Sequence, residues 1–528
     1  MAADLQPGSR APASRLRHRV PVRVRHHWKL LATCAAVVVA LVVLAGNVRV
    51  APIVTSQAAA KHDEVVIDVA GTVDLFDPSV AHTVTLTYDE ADYQRMFDEY
   101  MESGDKEYLR ADATVDGTLL RDVGIRLKGN STLSGVTHNG QARSMFGDRD
   151  GDGGMPQPAG GGGQGRPGGG MMGGGFGRTS LDSSRPEELP WLMSFDEFVD
   201  GRRYQGRSEI AVRVAGMGGG STVVNEAVSL SVLAAAGQPT QRYTYAGFRV
   251  NGAPAKARLL VEHPDEDFAD GLGNGVLYKS LATSQFTYQG EDPTEYEDDF
   301  KQINDKGSHD LKPVIDLVKW VNEASDADFD AHLADHVDIG SFASYTALQN
   351  LLLNFDDMAG PGRNYYLWYN LDTERFQVIG WDHNLTFSGS ATTGPHDSTT
   401  MGGGRGGFPG GDFQPPEGMQ LPDGVQLPEG MRPGGGGRGG FGGLGGNKLK
   451  ERFLASEAFK KAYEDAYRQL YQKIYADKAA EKALDQIAAT LANVAGADAT
   501  AVKTDTDQLR ALVQERTAAL AKDAVITS

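Results

Sequence analysis

Apolar and polar positions alternate along much of the first half of the chain, which predicts β-strands. HTVTLTY begins as an alternating strand, and YLRADATVDGTLLRDVGIRLKGNSTL predicts a hairpin with Asp-Gly at its turn. TYAGFRVNGAPAKARLLVEHPDEDF predicts a second hairpin with Asn-Gly at its turn. Between the hairpins, STVVNEAVSLSVLAAAG predicts a helix with Ser221 or Thr222 as its N-cap and Gly237 at its end.

The second half of the chain has mainly helical periodicity. This periodicity covers DLKPVIDLVKWVNEA, residues 327–353 and most of residues 448–524. Within this helical part, NYYLWY and RFQVIGW predict two buried strands joined by a turn at residues 370–374. Strands first, then helices with a hairpin among them, predict an α+β fold with two lobes.

Two glycine-rich segments, at about residues 144–178 and 391–447, interrupt these patterns. They contain too little apolar surface to form a core, which predicts two disordered insertions. The first contains DRDGDGG, which resembles the start of a calcium loop, but Ala159 stands where the closing acid is needed. We therefore interpret that stretch as a solvated loop.

The N-terminal region has the pattern of a membrane anchor. Residues 30–46 are uncharged and apolar, and residues 1–29 before them are strongly basic. This pattern predicts a single-pass protein of the cell membrane, with its N-terminus in the cytoplasm and its main domain outside. A cleaved signal peptide is the alternative interpretation. Residues 47–80 are predicted to be a linker that enters a first strand, VVIDVAG, and residues 81–528 to be the main domain.

Charge and cysteine content limit the partners and the covalent structure. The formal net charge is -19 although the first 29 residues are basic, so the remainder is more acidic than the total indicates. We therefore expect no nucleic acid as a partner. The only cysteine, Cys34, lies in the apolar segment, so no disulfide forms within the chain.

Carboxylates flank the predicted central hairpin. Asp356 and Asp357 precede its first strand, and Asp382 follows its second strand. Because a hairpin brings its two ends together, these carboxylates converge beside Asn364. Oxygen ligands of this kind suit Mg²⁺, and a base with an Asp/Asn pair is the arrangement of phosphoryl transfer. The alternative is structural: the acid pair caps a turn and Asp382 ends a strand.

Three further charged residues are candidates for a binding site. Arg126 and Lys128 end the first hairpin beside Gly-Asn-Ser, where cations and backbone N–H groups could hold phosphate. The alternative is an ordinary strand exit with solvated cations. Glu226, in the first turns of the predicted helix, either favours the helix dipole or pairs with a lysine.

Several of these stretches together resemble the CotH family, the spore-coat-type atypical protein kinases. The similarity extends from about residue 82 to the C-terminus, apart from the two glycine-rich segments. The family pattern at the central hairpin is Asn-aromatic-Asp, then Asn-Tyr-Tyr-Leu-Tyr, then Trp-Asp-x-Asp, and the late helix with Glu515 and Arg516 resembles the family's C-terminal end. The stretches that carry the resemblance are VGIRLKGNSTL, SFDEFVDGRRYQG, LLVEHPDEDF, GVLYKS and NFDDMAGPGRNYYLWYN with FQVIGWDHNLTFSG.

The resemblance implies a role for each matching residue of the central hairpin. Asp356 matches the catalytic acid, which orients and deprotonates the acceptor hydroxyl. Asn364 and Asp382 match the ligands of Mg²⁺. The implied reaction transfers the γ-phosphate of ATP to Ser or Thr of a protein substrate.

The resemblance also implies a nucleotide site in the first half of the chain. Lys128, with Arg126, matches the basic residues near the nucleotide phosphates. Glu226 matches the acid that pairs with a nucleotide-binding lysine. Glu262 matches the acid after a strand that resembles a kinase hinge, near the adenine.

The chain departs from the family pattern on the nucleotide side. The lysine-rich strand before Phe-Asp is replaced by residues 192–195, which contain no cation, and the arginine that opens the helix is replaced by Val224 and Asn225. The Gly-x-Tyr before the hinge acid is replaced by residues 256–258, and the second acid of Trp-Asp-x-Asp is Asn384. These changes are compatible with weak or altered nucleotide use, or with a pseudokinase.

Three functions are therefore open. The first is a membrane-anchored kinase that phosphorylates an envelope or coat protein. The second is a catalytically inactive, kinase-like scaffold of the cell envelope. The third is a metal-dependent hydrolase of phosphate esters, although such sites normally carry histidine-rich or multi-aspartate clusters.

Overall fold

Strands form in the alternating segments that predict them, and further short strands, such as Thr137–His138 and Phe300–Gln302, form where none is predicted. The structure is a computed structural model that describes residues 66–129, 132–133, 135–142, 181–214, 222–399 and 446–528. In chain order the strands are β1 (Ile67–Val69), β2 (Ala81–Tyr88), β3 (Leu109–Val115), β4 (Thr118–Leu127), β5 (Thr137–His138), β6 (Gln141–Ala142), β7 (Trp191–Ser194), β8 (Arg202–Tyr204), β9 (Glu209–Val212), β10 (Tyr243–Val250), β11 (Lys256–Glu262), β12 (Gly275–Ser280), β13 (Phe300–Gln302), β14 (Tyr365–Asn370) and β15 (Arg375–Gly380).

Helices dominate the second half of the described chain. The α-helices are α1 (Glu90–Glu102), α2 (Val224–Ala235), α3 (Glu266–Asp270), α4 (Lys312–Glu323), α5 (Asp326–His336), α6 (Ile339–Leu351), α7 (Lys448–Ala455), α8 (Glu457–Tyr471), α9 (Ala479–Leu491), α10 (Ala499–Leu520) and α11 (Ala524–Thr527). A 3₁₀ turn at His383–Leu385 follows β15. This content confirms the predicted α+β class.

Seven strands close into a barrel in the order β10-β11-β9-β7-β4-β3-β2. Neighbours are antiparallel except β2 and β10, which close the barrel in parallel. Alternate residues point inward, as in Val84 and Leu86 of β2, which are both fully buried. The barrel interior and α1 share one hydrophobic core, which we call the barrel core.

A second core lies among the helices. It contains the antiparallel sheet β13-β12-β14-β15, the helix α2 and the C-terminal helices, and we call it the helical core. Strands β10 and β11 belong to both cores because their two faces are both covered. Phe248 and Leu260 face the barrel core, whereas Tyr245 and Leu259 face the helical core. All described residues fall in one compact unit that spans 64–528.

The helix predicted in STVVNEAVSLSVLAAAG forms at Val224–Ala235, but its N-cap prediction is wrong. The cap position is Val223, which makes no side-chain capping bond. Thr222 instead donates through its hydroxyl to Asp505 of α10 at 2.8 Å. A tertiary hydrogen bond has therefore replaced the local cap.

Two predicted boundaries shift. The first strand predicted at the end of the linker, VVIDVAG, forms as β1 and pairs with β8, and Leu75 and Phe76 beyond it are buried in the barrel core, so the domain begins before residue 81. The second glycine-rich segment was expected to be disordered from residue 391, but residues 391–399 are described and Ala391 is buried. The carbonyl groups of Ala391 and Thr393 accept hydrogen bonds from the buried Arg516, which fixes this stretch.

Most of the insertions lie outside the described residues, as do the calcium-like stretch and the N-terminal segments at 1–29 and 30–46. The predicted membrane span is thus not covered by the structure. Along the parts of the chain that are described, none of the helices combines the length and the apolar character needed to cross a bilayer.

Candidate active site

The central hairpin forms as predicted and brings its two ends together. Its strands β14 and β15 pair from Tyr365 with Gly380 to Asn370 with Arg375. Beyond the paired residues, the Trp381 N–H donates to the Asn364 carbonyl oxygen at 3.3 Å. Asp382 therefore follows immediately after the residue that contacts Asn364.

Asp356 is fixed in the loop before β14. Its Oδ1 accepts a hydrogen bond from the Gly362 N–H at 2.5 Å, and its Oδ2 accepts one from Asn364 Nδ2 at 2.9 Å. The residue is 7% exposed. Burial raises the pKa of Asp356 to about 6, and the carboxylates of Asp382 and Asp357 add to the rise. Asp356 is thus a buried carboxyl with a proton affinity well above that of a free aspartate.

Gly362 leaves the space that this arrangement needs. A Cβ at this position would lie 2.6 Å from Asn364 Nδ2 and 2.7 Å from Asp356 Oδ2. Real side chains do not approach so closely, so any larger residue would displace the Asp356–Asn364 pair.

The neighbouring Asp357 has a different task. Its carboxylate forms a buried ion pair with Lys450 of α7, and its Oδ1 accepts the Ala359 N–H at 2.8 Å. At 2% exposure it is closed off from solvent. Of the two adjacent acids, Asp357 holds the loop to the C-terminal helices and Asp356 is directed to Asn364.

The described residues on either side of 400–445 contact this same loop. Thr399 Oγ1 donates to the Asn354 carbonyl oxygen at 3.3 Å. On the return, the Gly446 N–H donates to the Ala359 carbonyl oxygen at 2.8 Å. Thr399 and Gly446 therefore both contact the loop that carries Asp356.

Asn364 and Asp382 supply oxygen atoms of the kind that Mg²⁺ prefers. Asn364 Nδ2 donates to the Asp356 backbone and side-chain oxygens at 3.1 and 2.9 Å, which assigns its amide nitrogen to Asp356 and leaves Oδ1 on the other side. Asp382 adopts a left-handed conformation, with φ of 56°, and its side chain is partly exposed. The donor set of one carboxylate and one amide oxygen fits a cation that keeps several waters. Within the described residues, no three His, Cys, Asp or Glu side chains are grouped closely enough to hold a metal ion.

Arg213, directly after β9, is a residue of this site that the sequence reasoning missed. Its Nε lies 2.7 Å from Glu226 Oε2, and its NH2 group contacts Asp382 Oδ1. Burial lowers the pKa of Arg213, but the carboxylates of Asp382 and Glu226 raise it by more than burial lowers it. The net shift is upward, so the guanidinium stays charged. Burial raises the pKa of Glu226 to about 6, and Arg213 opposes that rise. Glu226 therefore pairs with an arginine rather than a lysine.

Arg258 fixes the backbone of Arg213. It is buried in the barrel and donates from Nε to the Arg213 carbonyl oxygen at 2.8 Å. It also donates to the carbonyl oxygens of Glu187 and Leu189, at 2.5 and 2.7 Å. The residue that departs from the family pattern before Glu262 thus has a structural function.

Lys128 reaches the same place from the end of β4. Its Nζ lies 5.2 Å from the centre of the Trp381 ring, and Arg213 Cζ lies 5.6 Å from it. Burial lowers the pKa of Lys128, and the cations of Lys279 and Arg213 lower it further. The neighbouring Arg126 lies over the Tyr108 ring at 5.1 Å. The structure therefore brings Lys128 close to the end of the central hairpin, with Arg126 near it.

Glu262 ends β11, and its carboxylate is already engaged. It forms an ion pair with Arg207 and accepts the Arg242 N–H at 3.0 Å. The next residue, His263, packs edge-on against Trp381 with 5.6 Å between ring centres. The Glu262 side chain therefore stabilises the barrel end, while its neighbour faces the site.

The candidate site thus combines the hydrogen-bonded Asp356–Asn364 pair, just before the central hairpin, with Arg213 from the end of a barrel strand. Arg213 adds two carboxylate partners, Glu226 and Asp382, and the class of protein is one with a polar site of this composition. A comparison with family models identifies the particular family. The model described as CotH kinase protein matches residues 176–520, and the chain belongs to this family. A comparison with curated proteins finds no match. The family match confirms the resemblance seen in the sequence.

Proposed function

We propose that this protein is an atypical, Mg²⁺-dependent protein kinase that transfers the γ-phosphoryl group of ATP to Ser or Thr hydroxyls of another protein. Membership of the CotH kinase family supports the reaction class. The observation that carries the proposal is the hydrogen-bonded Asp356–Asn364 pair beside Asp382, at the joined ends of one hairpin.

Asp356 is the proposed catalytic residue. Its carboxylate accepts the proton of the acceptor hydroxyl while the hydroxyl oxygen forms a bond to the γ-phosphorus. The bond from that phosphorus to the bridging oxygen breaks, and ADP leaves with the electron pair. The raised pKa of Asp356 favours this proton transfer near neutral pH.

Asn364 and Asp382 are the proposed metal ligands. Bound Mg²⁺ would neutralise charge on the phosphate oxygens. Asn364 serves two partners, because its nitrogen orients Asp356 and its oxygen remains available for a cation. Arg213 holds Asp382 from the other side and keeps that carboxylate in place.

The part of the site that binds the nucleotide phosphates is proposed to consist of the Arg213–Glu226 ion pair, Lys128 and Arg126. An arginine paired with a helix glutamate supplies the charge that the family pattern places on a lysine. The barrel core and the helical core would then form two kinase-like lobes, with the nucleotide between them and the adenine near the segment after Glu262.

The proposed setting is the cell envelope. A membrane span at 30–46 would place the domain outside the cytoplasm, where an envelope or spore-coat protein would be the acceptor. A catalytically inactive, kinase-like scaffold is the second candidate, and one observation favours it: Asp382 already has a charged partner in Arg213.

The test is phosphate transfer from γ-labelled ATP to Ser and Thr, either in the protein itself or in an added acceptor protein. We expect transfer by the wild type with Mg²⁺ and a loss of at least 100-fold in Asp356→Asn, because general-base catalysis contributes about 10²–10⁴-fold. Asp372→Asn, at the exposed turn of the same hairpin, is the matched control and should transfer normally. Equal transfer by wild type and Asp356→Asn would refute the role of Asp356. Mg²⁺-dependent ATP binding without any transfer would favour the scaffold.

A further inference from the structure

Two lysines from different sheets approach one aromatic pair at the site. Lys128 follows β4 of the barrel, and Lys279 lies on β12 of the four-stranded sheet. Lys128 Nζ lies 5.2 Å from the Trp381 ring centre, and Lys279 Nζ lies 5.9 Å from the Tyr366 ring centre. The two rings are perpendicular, with 6.2 Å between their centres. The two ammonium groups therefore lie near one pair of neighbouring rings.

Neither ammonium group is neutralised by a contact with the described residues. No carboxylate oxygen there lies within 4.0 Å of Lys128 or Lys279 Nζ. The nearby acids have other partners: Glu226 and Asp382 pair with Arg213, and Glu209 Oε2 lies 2.5 Å from His263 Nδ1. Burial lowers the pKa of both lysines, and each also has a second cation near it. Both lysines are partly exposed, and two like charges near each other without close counter-ions repel, which an anion bound between them would relieve.

Two further donor atoms near these lysines, the Tyr366 hydroxyl and Arg126 Nε, also lack a hydrogen-bond partner among the described residues. The Tyr366 hydroxyl is buried and makes no hydrogen bond to any described residue, and its residue is 0% exposed. Arg126 Nε is buried without an acceptor among the described residues. Buried donors are normally satisfied, so their concentration around the two lysines indicates that a ligand with several acceptor oxygens belongs there.

We propose that Lys279 is a phosphate-binding residue, which together with Lys128 holds a polyphosphate chain from two sides and selects nucleoside di- and triphosphates over the nucleoside. This inference rests on the proposed function and extends it to ligand selection. The Trp381 and Tyr366 rings hold the ammonium groups of Lys128 and Lys279 in these positions, because a cation over a ring face is attracted by the ring quadrupole. A nucleotide polyphosphate and free polyphosphate offer the same chemistry, and the experiment separates them.

The proposal predicts two opposite effects of Lys279, one on ligand affinity and one on the stability of the ligand-free protein. As a ligand-binding residue, it should strengthen polyphosphate binding. As a cation near a second cation and without a close counter-ion, it should weaken the ligand-free protein, since removing one of two like charges relieves their repulsion. A lysine that served only to stabilise the fold would not show the second effect.

The experiment is calorimetric titration of the wild type, Lys279→Met and Lys301→Met with adenosine, ADP, ATP and inorganic tripolyphosphate, each with Mg²⁺. Lys301 is the matched control, because it is the exposed register partner of Lys279 on β13. We expect Lys279→Met to lose at least 10-fold in affinity for ADP, ATP and tripolyphosphate and to keep its affinity for adenosine. Lys301→Met should stay within twofold of the wild type throughout.

A second measurement keeps the result interpretable if affinity falls for structural reasons. The midpoint of denaturant unfolding without ligand should be equal or higher in Lys279→Met than in the wild type. Lys279→Arg, which keeps the charge, should retain most of the polyphosphate affinity.

The outcomes separate this inference from the proposed function. If the wild type binds ATP and Lys279→Met binds it equally well, the inference fails and the kinase proposal stands. If the wild type binds tripolyphosphate through Lys279 but shows no preference for a nucleotide, the phosphate site stands and the nucleotide function fails. If the wild type binds neither compound, or if Lys279→Met loses affinity only together with its unfolding midpoint, the inference is overturned.

Discussion

Arg213 joins Glu226 of α2 to the end of the central hairpin, with 2.7 Å between its Nε and Glu226 Oε2. A second nitrogen of the same guanidinium contacts Asp382. Because two nitrogens serve two carboxylates, a side chain with a single nitrogen cannot replace both contacts.

Replacing Arg213 should therefore be costly. Arg213→Met leaves two carboxylates without their cation, and breaking a buried pair from one side costs roughly 3–5 kcal/mol. We expect a loss of this order in the free energy of unfolding, measured in urea, and a smaller loss in Arg213→Lys. Arg249→Met, an exposed arginine on β10, is the control and should be near neutral. Equal stability of Arg213→Met and the wild type would contradict the proposed importance of this ion pair.

Gly362→Ala should lower the rate of phosphate transfer. The added Cβ would meet Asn364 Nδ2 and both Asp356 carboxylate oxygens at 2.6–2.8 Å, so the proposed base must move. We expect phosphate transfer to fall at least 10-fold, by loss of alignment of the base. Gly340→Ala in α6 is the control, because its Cβ meets no atom closer than 3.6 Å and alanine favours a helix by about 1 kcal/mol. Normal transfer by Gly362→Ala would show that the Asp356 geometry is not needed for the reaction.

Arg516 should be among the most sensitive positions of the helical core. It is 0% exposed and donates to the carbonyl oxygens of Leu351 and Asn350 at 2.8 Å, as well as to the stretch after Asp382. Arg516→Met removes all of these hydrogen bonds, and a hydrogen bond to a charged group contributes about 1.5–3 kcal/mol. We expect the unfolding midpoint in urea to fall clearly. Arg510→Met, in the same helix as Arg516, removes one surface ion pair with Asp485 of α9 and should change the midpoint little. Similar effects of the two substitutions would argue against a stabilising role of the Arg516 hydrogen bonds.

The pH dependence of stability should depend on Asp265. Its carboxyl accepts hydrogen bonds from Ser208 Oγ and the Phe268 N–H, and burial raises its pKa from 3.8 to about 7. The folded state then binds a proton more tightly than the unfolded state. This contribution to stability is present at low pH and is lost as the pH rises from about 4 to about 7.

Asp265→Asn removes this titration but can still cap α3. We expect its unfolding free energy to vary less than that of the wild type between pH 4 and 7, with the variant gaining on the wild type as the pH rises. Asp498→Asn, at the exposed N-cap of α10, should follow the wild type over the same range. Parallel curves for Asp265→Asn and the wild type would contradict the raised pKa.

Local sequence patterns predicted the elements but not the long-range contacts. The hairpin of β14 and β15 was predictable because alternation and turn signals lie within adjacent residues. Arg213 was not, because its two partners lie 13 and 169 positions away. The only local signal was a charge in the otherwise apolar EIAVRV. The cap at Thr222 failed for the same reason, since its partner Asp505 is 283 positions away.

The paired acids show the same limit within the candidate site. Asp356 and Asp357 are equivalent in the sequence, and the resemblance alone selects Asp356. Their difference is set by Lys450, which lies 93 positions beyond Asp357 and neutralises it. The roles of the proposed site residues stay predictions until the variants above are measured.

Thr399 and Gly446, the described residues on either side of 400–445, are both fixed to one loop. Thr399 bonds to Asn354 and Gly446 bonds to Ala359, so the two contacts lie on the two sides of Asp356 in the chain. A displacement of either residue is therefore transmitted to the backbone that carries the proposed base. The position of Asp356 is thus mechanically coupled to two residues that do not contact its side chain.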